Sequence, residues 1–336
     1  MPGARVAIAV ALALTTAPPD AATTLLRQSM AAPRSVSYVG QLETIRFSSN
    51  RANATIVRIE HLAPSMTRRW YLAPESLYGD YIITRGDANY EFDVKRSRVL
   101  VSHNPLLDDQ VAADSSLARV LTNYQPLLAR GEIIAGRSTN SLLLVNKFTG
   151  ERVMRLWLDT QTHLVLKKEE YHGNGAVASQ TRFEELRYTG SIPADVFATA
   201  PPAGYSRVTG RDYAMPSSDI LRVIHQAGFT PVTPKDLPQG FSLASGDATT
   251  VNSVRTLHLT YSDGLRTISL FENATGAAAD FGNLRPQTTT FEGHDAQFVE
   301  DGPTTLLTWK EKGLYFALVG DLLRNELVAI AKSVVP

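Results

Sequence analysis

Polar and apolar residues alternate in short bursts along the first half of the chain, the period-two signature of half-buried β-strands. The bursts fall at 37–47, 54–63, 68–73, 81–85, 89–94, 98–102, 132–136, 141–148, 152–158, 163–172 and 177–188. Turn residues separate them, notably Gly86-Asp87-Ala88, Thr149-Gly150-Glu151 and Gly173-Asn174-Gly175. Helical spacing intervenes twice. Residues 22–32 bring Leu25, Leu26, Ser29 and Met30 near one face. A second helix runs from a cap at Asp114 or Ser115 through Leu117, Val120, Leu121 and Tyr124, and Pro126 disfavours its continuation. About eleven strands before residue 190, with few helices, predict a large antiparallel sheet, curved into a half-barrel or closed into a barrel.

The alternation lapses over 191–216, where Pro193, Pro201, Pro202 and Pro216 stand among glycines, and this stretch reads as a linker. Ser217 then caps a helix with Ile220, Val223, Ile224 and Ala227 in one stripe and Gly228 just past its end. Strand patterns return near 240–245, 256–261, 265–271, 288–299, 304–310 and 314–319. A last helix follows Asp321 and aligns Leu323, Leu327, Ile330 and Val334. A small α+β domain at 217–336 thus follows a mainly β domain at 23–190. Within the second domain, Asp263-Gly264 signals a two-residue type I′ hairpin. That turn sets Ser262 opposite Leu265, Tyr261 opposite Arg266, Leu259 opposite Ile268 and Leu257 opposite Leu270. The last three pairs make one largely apolar face. Thr260 with Thr267 and His258 with Ser269 make the polar one.

Charge and composition narrow the function. The 336 residues include 33 Lys+Arg and 33 Asp+Glu, so nothing favours nucleic acid or an acidic membrane surface as the main partner. There is no cysteine, which excludes disulfides, thiol nucleophiles, zinc–thiolate sites and the lipidated cysteine of a bacterial lipoprotein. At the N-terminus, Arg5 precedes an apolar run at 6–14, then small residues and prolines. This resembles a secretory signal peptide over 1–22, with cleavage near Ala22. The run is about half of the ~20 residues needed to span a bilayer. The expected product is soluble and periplasmic, or otherwise extracytoplasmic.

Catalytic and cofactor motifs are missing: no G-x-S-x-G, P-loop, strand-linked G-x-G-x-x-G or H-E-x-x-H is present. The seven histidines have no close metal-ligand spacing, and no cofactor is implied. Asp108-Asp109, Glu169-Glu170 and Glu184-Glu185 are adjacent pairs; on a strand such neighbours point to opposite faces and form no acid/base couple. What remains is binding chemistry. The first sheet is rich in aromatics, and a curved sheet has a concave face that binds apolar ligands unless helices fill it. Part of the set must form core. Trp70, Tyr71, Tyr81, Tyr90 and Phe92 are the candidate lining. Basic residues recur at Arg46, Arg51, Arg58, Arg68, Arg69, Arg85, Lys95, Arg96 and Arg98. Arg68 and Arg69, just before Trp70-Tyr71, are the candidate cationic rim.

Several segments carry a resemblance. LPQGFSL (237–243), TYSDGLRTISLFENAT (260–275) and YFALVGDLLRNELVAIAKSV (315–334) resemble the C-terminal domain of the RseB/MucB family. AGRSTNSLLLVNKFTGERVMRLWLDTQTHLVLKKEEY (135–171) is similar to the family's N-terminal domain; its WLDTQTHL pattern is shared with the wider LolA/LolB-like fold. Here Asp159 and the Thr-Gln-Thr run make a turn and Leu164 restarts the strand. The likeness covers most of 35–189 and 237–335, in order. The helix and PVTPKDLPQGF stretch at 217–241 depart from the best-known members. The resemblance implies a LolA-like curved antiparallel half-barrel with helices against its concave side, then a smaller mixed domain. It also implies an exported regulator of extracytoplasmic, envelope-stress sigma-factor signalling. Such proteins bind the extracytoplasmic segment of a membrane-anchored anti-sigma factor, shield it from proteolysis, and respond to lipid or lipopolysaccharide fragments.

Two other readings compete. A periplasmic lipid or lipoprotein carrier would use the same N-terminal fold without a regulatory role. An enzyme with an unrecognised site would require a close Ser/His/Asp or carboxylate cluster.

Overall fold

The computed structural model describes residues 20–48, 51–86, 88–103, 110–209, 217–251, 254–275, 285–301 and 304–334. Most of the expected signal peptide, residues 1–19, lies outside them. The chain opens with α1 (Ala21–Ala31), whose first turn is capped by Asp20 Oδ1 accepting from the Thr23 N–H at 2.7 Å. A cut after Ala22 would remove this cap and a buried alanine.

An antiparallel meander follows: β1 (Tyr38–Ser48), β2 (Arg51–Leu62), β3 (Met66–Ala73), β4 (Tyr81–Arg85), β5 (Ala88–Asp93) and β6 (Arg98–His103). After α2 (Gln110–Asn123) come β7 (Tyr124–Ala129), β8 (Ile133–Ile134), β9 (Arg137–Asn146), β10 (Arg152–Asp159), β11 (Val165–Tyr171) and β12 (Val177–Tyr188). β12 returns to pair with β1, which joins the two meanders into one 13-stranded sheet with β7 at an edge. α2 starts at Gln110, so Asp114 and Ser115 lie inside the helix rather than at its cap. β7 escapes the alternation pattern because Pro126 interrupts it. The proline is tolerated because β7 pairs only with β9.

The expected linker is partly built into this sheet. Its residues 206–209 form β13 (Ser206–Thr209), which pairs in parallel with β6 at the opposite edge. Phe197 is also buried, packed with Ile83, Phe92 and Val99. Prolines exclude regular structure from much of this stretch, but they do not prevent side-chain packing.

The second domain begins with α3 (Ile220–Ala227). Asp219, not Ser217, is its cap, accepting from the Arg222 N–H at 3.2 Å. Gly228 closes the helix at φ 77°. Seven strands form its sheet: β14 (Ser242–Val251), β15 (Val254–Ser262), β16 (Thr267–Asn273), β17 (Gln287–Phe291), β18 (His294–Asp301), β19 (Thr304–Glu311) and β20 (Leu314–Gly320). Their order is β14-β15-β16-β20-β19-β18-β17. The apolar stretch 288–299 is a hairpin, not one strand. Glu292 and Gly293 both take positive φ (47° and 81°), as a type I′ turn requires. α4 (Arg324–Val334) buries Leu327, Ile330 and Val334 against the sheet, while Leu322 rather than Leu323 takes the deepest place before it.

The β15–β16 register differs from the expected one by two residues. Ser262 faces Thr267, Tyr261 faces Ile268, Leu259 faces Leu270 and Leu257 faces Glu272. In the 263–266 turn only Gly264 has positive φ, so the two-residue type I′ geometry is not met. Asp263 Oδ1 instead accepts from the N–H groups of Leu265 (3.0 Å) and Arg266 (2.8 Å), which widens the turn to four residues. An even slip preserves which face is buried. Tyr261, Leu259, Leu257, Ile268 and Leu270 all enter the core, and Glu272 is carried in with them.

Candidate functional site

Strand alternation divides the seven candidate residues between two faces. Cross-strand pairs join Arg68 to Ile83, Ile83 to Tyr90, Trp70 to Tyr81 and Tyr81 to Phe92, so these share one face. Tyr81 stacks on Phe92 with centroids 4.3 Å apart, and Trp70 leans on Tyr81 at 5.8 Å. The Arg68 guanidinium lies over Trp70 at 4.6 Å and over Tyr81 at 5.3 Å. Phe92 is 1% exposed beneath Phe197 and Tyr205, and Tyr90 packs at the border of the same cluster. This face is therefore mostly domain core, with Trp70 left 39% exposed at its margin. Arg69 and Tyr71 point the other way.

On that opposite side, at the ends of β3–β6, is a cavity of about 410 Å³. Tyr71, Leu77, Ile82 and Leu100 supply apolar lining, and Tyr81 and Phe92 also border it. Tyr71, Tyr81 and Phe92 of the candidate set thus reach the cavity; Arg68, Arg69, Trp70 and Tyr90 do not line it. Its cations are Lys95, Arg96 and Arg98. Lys95 and Arg96 stand on the β5–β6 turn, which the strand pattern marks only as a short connection, and Arg98 opens β6. Ile82 and Leu100 are linked through Glu91 by direct cross-strand pairing, a signal readable once the register is known.

The cavity wall is hydrogen-bonded. Lys95 Nζ donates to the carbonyls of Glu75 (2.5 Å) and Ser76 (3.2 Å), tying the β5–β6 turn to the β3–β4 connection. The Val94 N–H donates to Asp80 Oδ1 at 2.8 Å. Asp93 Oδ2 accepts from Arg96 Nη1 and Arg98 Nε, each at 3.0 Å. Burial works against the Asp93 charge, but these partners hold its carboxyl below the usual aspartate range. The mouth therefore carries three cations against Asp80, Glu91 and Asp93, a mixed polar rim around an apolar wall.

A second cluster bears on the enzyme reading. His258 Nδ1 lies 2.9 Å from Asp247 Oδ2, and His258 Nε2 lies 3.0 Å from Ser269 Oγ. That is the connectivity of a nucleophilic serine. The surroundings do not complete it. β16 is flanked by β15 and β20, so its N–H groups are committed to the two ladders and none is free to receive an oxyanion at Ser269. Thr260 Oγ1 also claims His258 Nε2, at 3.2 Å, and Phe271 stacks on the imidazole at 4.2 Å. The group is a polar clamp across three strands. Among the described residues no three His, Cys, Asp or Glu side chains are arranged to hold a metal, and no helix is long and apolar enough to cross a membrane.

Known proteins provide a second line of comparison. Residues 78–201 match the model of the MucB/RseB N-terminal domain, and residues 231–334 match a domain of unknown function, DUF4367. No curated protein matches the chain. The structure of MucB in complex with MucA(peri) superimposes with a TM-score of 0.59 at 18% identity, covering 94% of this chain and 97% of that one. The MucA/MucB complex of Pseudomonas aeruginosa gives 0.58 at 18% identity over 94% and 97% of the two chains. MucB alone gives 0.53 at 18% identity over 93% and 96%. Both domains, in the same order, thus share the MucB fold. Residues 78–201 carry the sequence pattern of the MucB/RseB N-terminal domain as well.

Proposed function

We propose that this protein is an extracytoplasmic regulator that binds the periplasmic segment of a membrane-anchored anti-sigma factor. The observation that carries this reading is the correspondence with MucB in its MucA(peri) complex along 94% of the chain, second domain included. A bare lipid carrier would leave that second domain without a role. The test is titration calorimetry of the full chain with the extracytoplasmic segment of a single-span anti-sigma factor from the same organism. Saturable one-to-one binding is expected. Absence of binding at about 100 μM, weaker than roughly −5.5 kcal/mol, would overturn the reading.

We further propose that the protein responds to lipid-like components through the cavity at the ends of β3–β6. At about 410 Å³ it falls at the small end of ligand sites, which run from about 300 to 1,000 Å³. Its apolar wall and mixed polar rim suit an amphiphile with one inserted chain, whose headgroup would meet Lys95, Arg96 and Arg98 among the rim carboxylates. Tyr71→Ala is expected to weaken dodecyl phosphate binding about tenfold, whereas Trp70→Ala, outside the cavity, changes it less than twofold. Equal losses in both variants, measured by tyrosine fluorescence or calorimetry, would remove the ligand from this cavity.

A further inference from the structure

The two sheets are joined at one turn by an unusual set of polar groups. Asn123 Nδ2, at the end of α2, donates to the carbonyls of Gly240 (3.0 Å) and Asp263 (2.8 Å). Arg119 Nη1 donates to the Ser262 carbonyl at 3.2 Å. The Tyr124 hydroxyl donates to Asp263 Oδ2, which also accepts from Arg266 Nε at 3.1 Å. Tyr124 and Asp263 are both fully buried. Gly264 sits at φ 103°, and a Cβ there would lie 2.8 Å from the Val120 backbone nitrogen. Only glycine permits that approach. Leu265 completes the contact by packing against the cluster of Leu25, Leu26, Val120, Tyr124 and Leu144 beneath α1 and α2.

The chemistry of this contact differs from that of a permanent junction. A buried carboxylate is costly unless its partners remain in place. Here the partners come from both sides: Arg266 from the hairpin itself, Tyr124 from the first domain. On separation, Asp263 and Arg266 stay together and regain water, so the open state strands no unpaired ion. On closure, Tyr124 and Asn123 replace that water. An open arrangement would therefore leave no ion unpaired. The junction's closed state depends on Tyr124, whose ring belongs to the same apolar cluster as α1.

We propose that the 263–266 turn is a releasable latch between the domains, and that the packing of α1 over Tyr124 sets whether it is closed. This inference is independent of the partner named above. It is tested on the full chain by amide hydrogen exchange. Tyr124→Phe removes one hydrogen bond to a charged group, an interaction worth about 1.5–3 kcal/mol, so exchange at 262–266 should quicken about 10- to 100-fold. Exchange in the β19–β20 hairpin should stay unchanged. Leu25→Ala, or the milder Met30→Ala if that variant folds poorly, should quicken exchange at 262–266 in the natural chain but add little in the Tyr124→Phe background. Unchanged exchange at 262–266 in Tyr124→Phe would overturn the latch. Fully additive effects of the α1 and Tyr124 substitutions would overturn its control by α1.

Discussion

Asp159→Ala should destabilise the first domain by about 2–4 kcal/mol in urea titrations at pH 7, because it removes the acceptor of several charge-assisted hydrogen bonds at a buried position while the partly exposed Arg137 can regain water. Asp159 is 1% exposed. Its Oδ1 accepts from the N–H groups of Gln161 (2.7 Å) and Thr162 (3.0 Å), which closes the β10–β11 turn. Its Oδ2 meets Arg137 Nε of β9 and the Tyr188 hydroxyl of β12 at 3.0 Å. One carboxylate thus ties one turn to two further strands. Asp159→Asn keeps the turn acceptor and loses the charge, so its cost should be smaller, about 1–3 kcal/mol. Burial alone would raise the Asp159 pKa, but Arg137, the two N–H groups and Tyr188 hold it below the ordinary 3.8. The stabilisation is therefore complete above that value and fades as pH falls through the lower, folded value. A cost below about 1 kcal/mol for the alanine variant would show that the network contributes little.

Glu272→Gln should have the opposite sign above neutral pH. Glu272 is fully buried between Leu257 and Phe316, with only Oε2 engaged, accepting from the Val232 N–H at 2.9 Å. Oε1 has no partner among the described residues, nor do the nearby core groups Tyr261 OH and Trp309 Nε1. Burial pushes its pKa from the ordinary 4.5 up to about 7, against the smaller opposing pull of the Val232 N–H. The folded state then holds a proton that the unfolded chain releases, so stability falls as pH rises from about 4.5 to 7. The gap amounts to about 3 kcal/mol at most. Thermal melts from pH 5 to pH 8 should show this decline in the natural chain and a flatter profile in the variant. Because the new amide also lacks a partner, the net gain at pH 8 should be about 1–2 kcal/mol. A parallel decline in both proteins would place the titrating group elsewhere.

The sequence made different features legible for different physical reasons. Long alternating strands such as 81–85 and 177–188 coincide with β4 and β12, because period two and flanking turns are local properties. The Asp263-Gly264 hairpin shows the limit of local reasoning. Its faces were predictable, since an even slip leaves them unchanged, whereas its register follows the capping of Leu265 and Arg266 by Asp263 Oδ1, a carboxylate whose other oxygen accepts from Tyr124. That hydrogen bond joins residues 139 apart in sequence. The candidate site was half legible for a similar reason. Aromatic clustering pointed to β3–β5, but adjacent residues alternate in direction, so Trp70 and Tyr71 could not both line one surface. The cations at the cavity, Lys95, Arg96 and Arg98, were placed by the turn that folds them back, which composition does not encode.

Finally, the parallel strand β13 has a mechanical consequence. The covalent path to the second domain leaves from the β13 edge of the large sheet, while the hairpin contact is made beside β7, at the other edge. Laid flat, the 12 strands of that path would span roughly 53 Å at about 4.8 Å per step. The eight steps from Thr209 to Ser217 supply at most about 29 Å of chain. The second domain therefore bridges the two rims: its chain enters from beside β13 and its 263–266 turn packs beside β7.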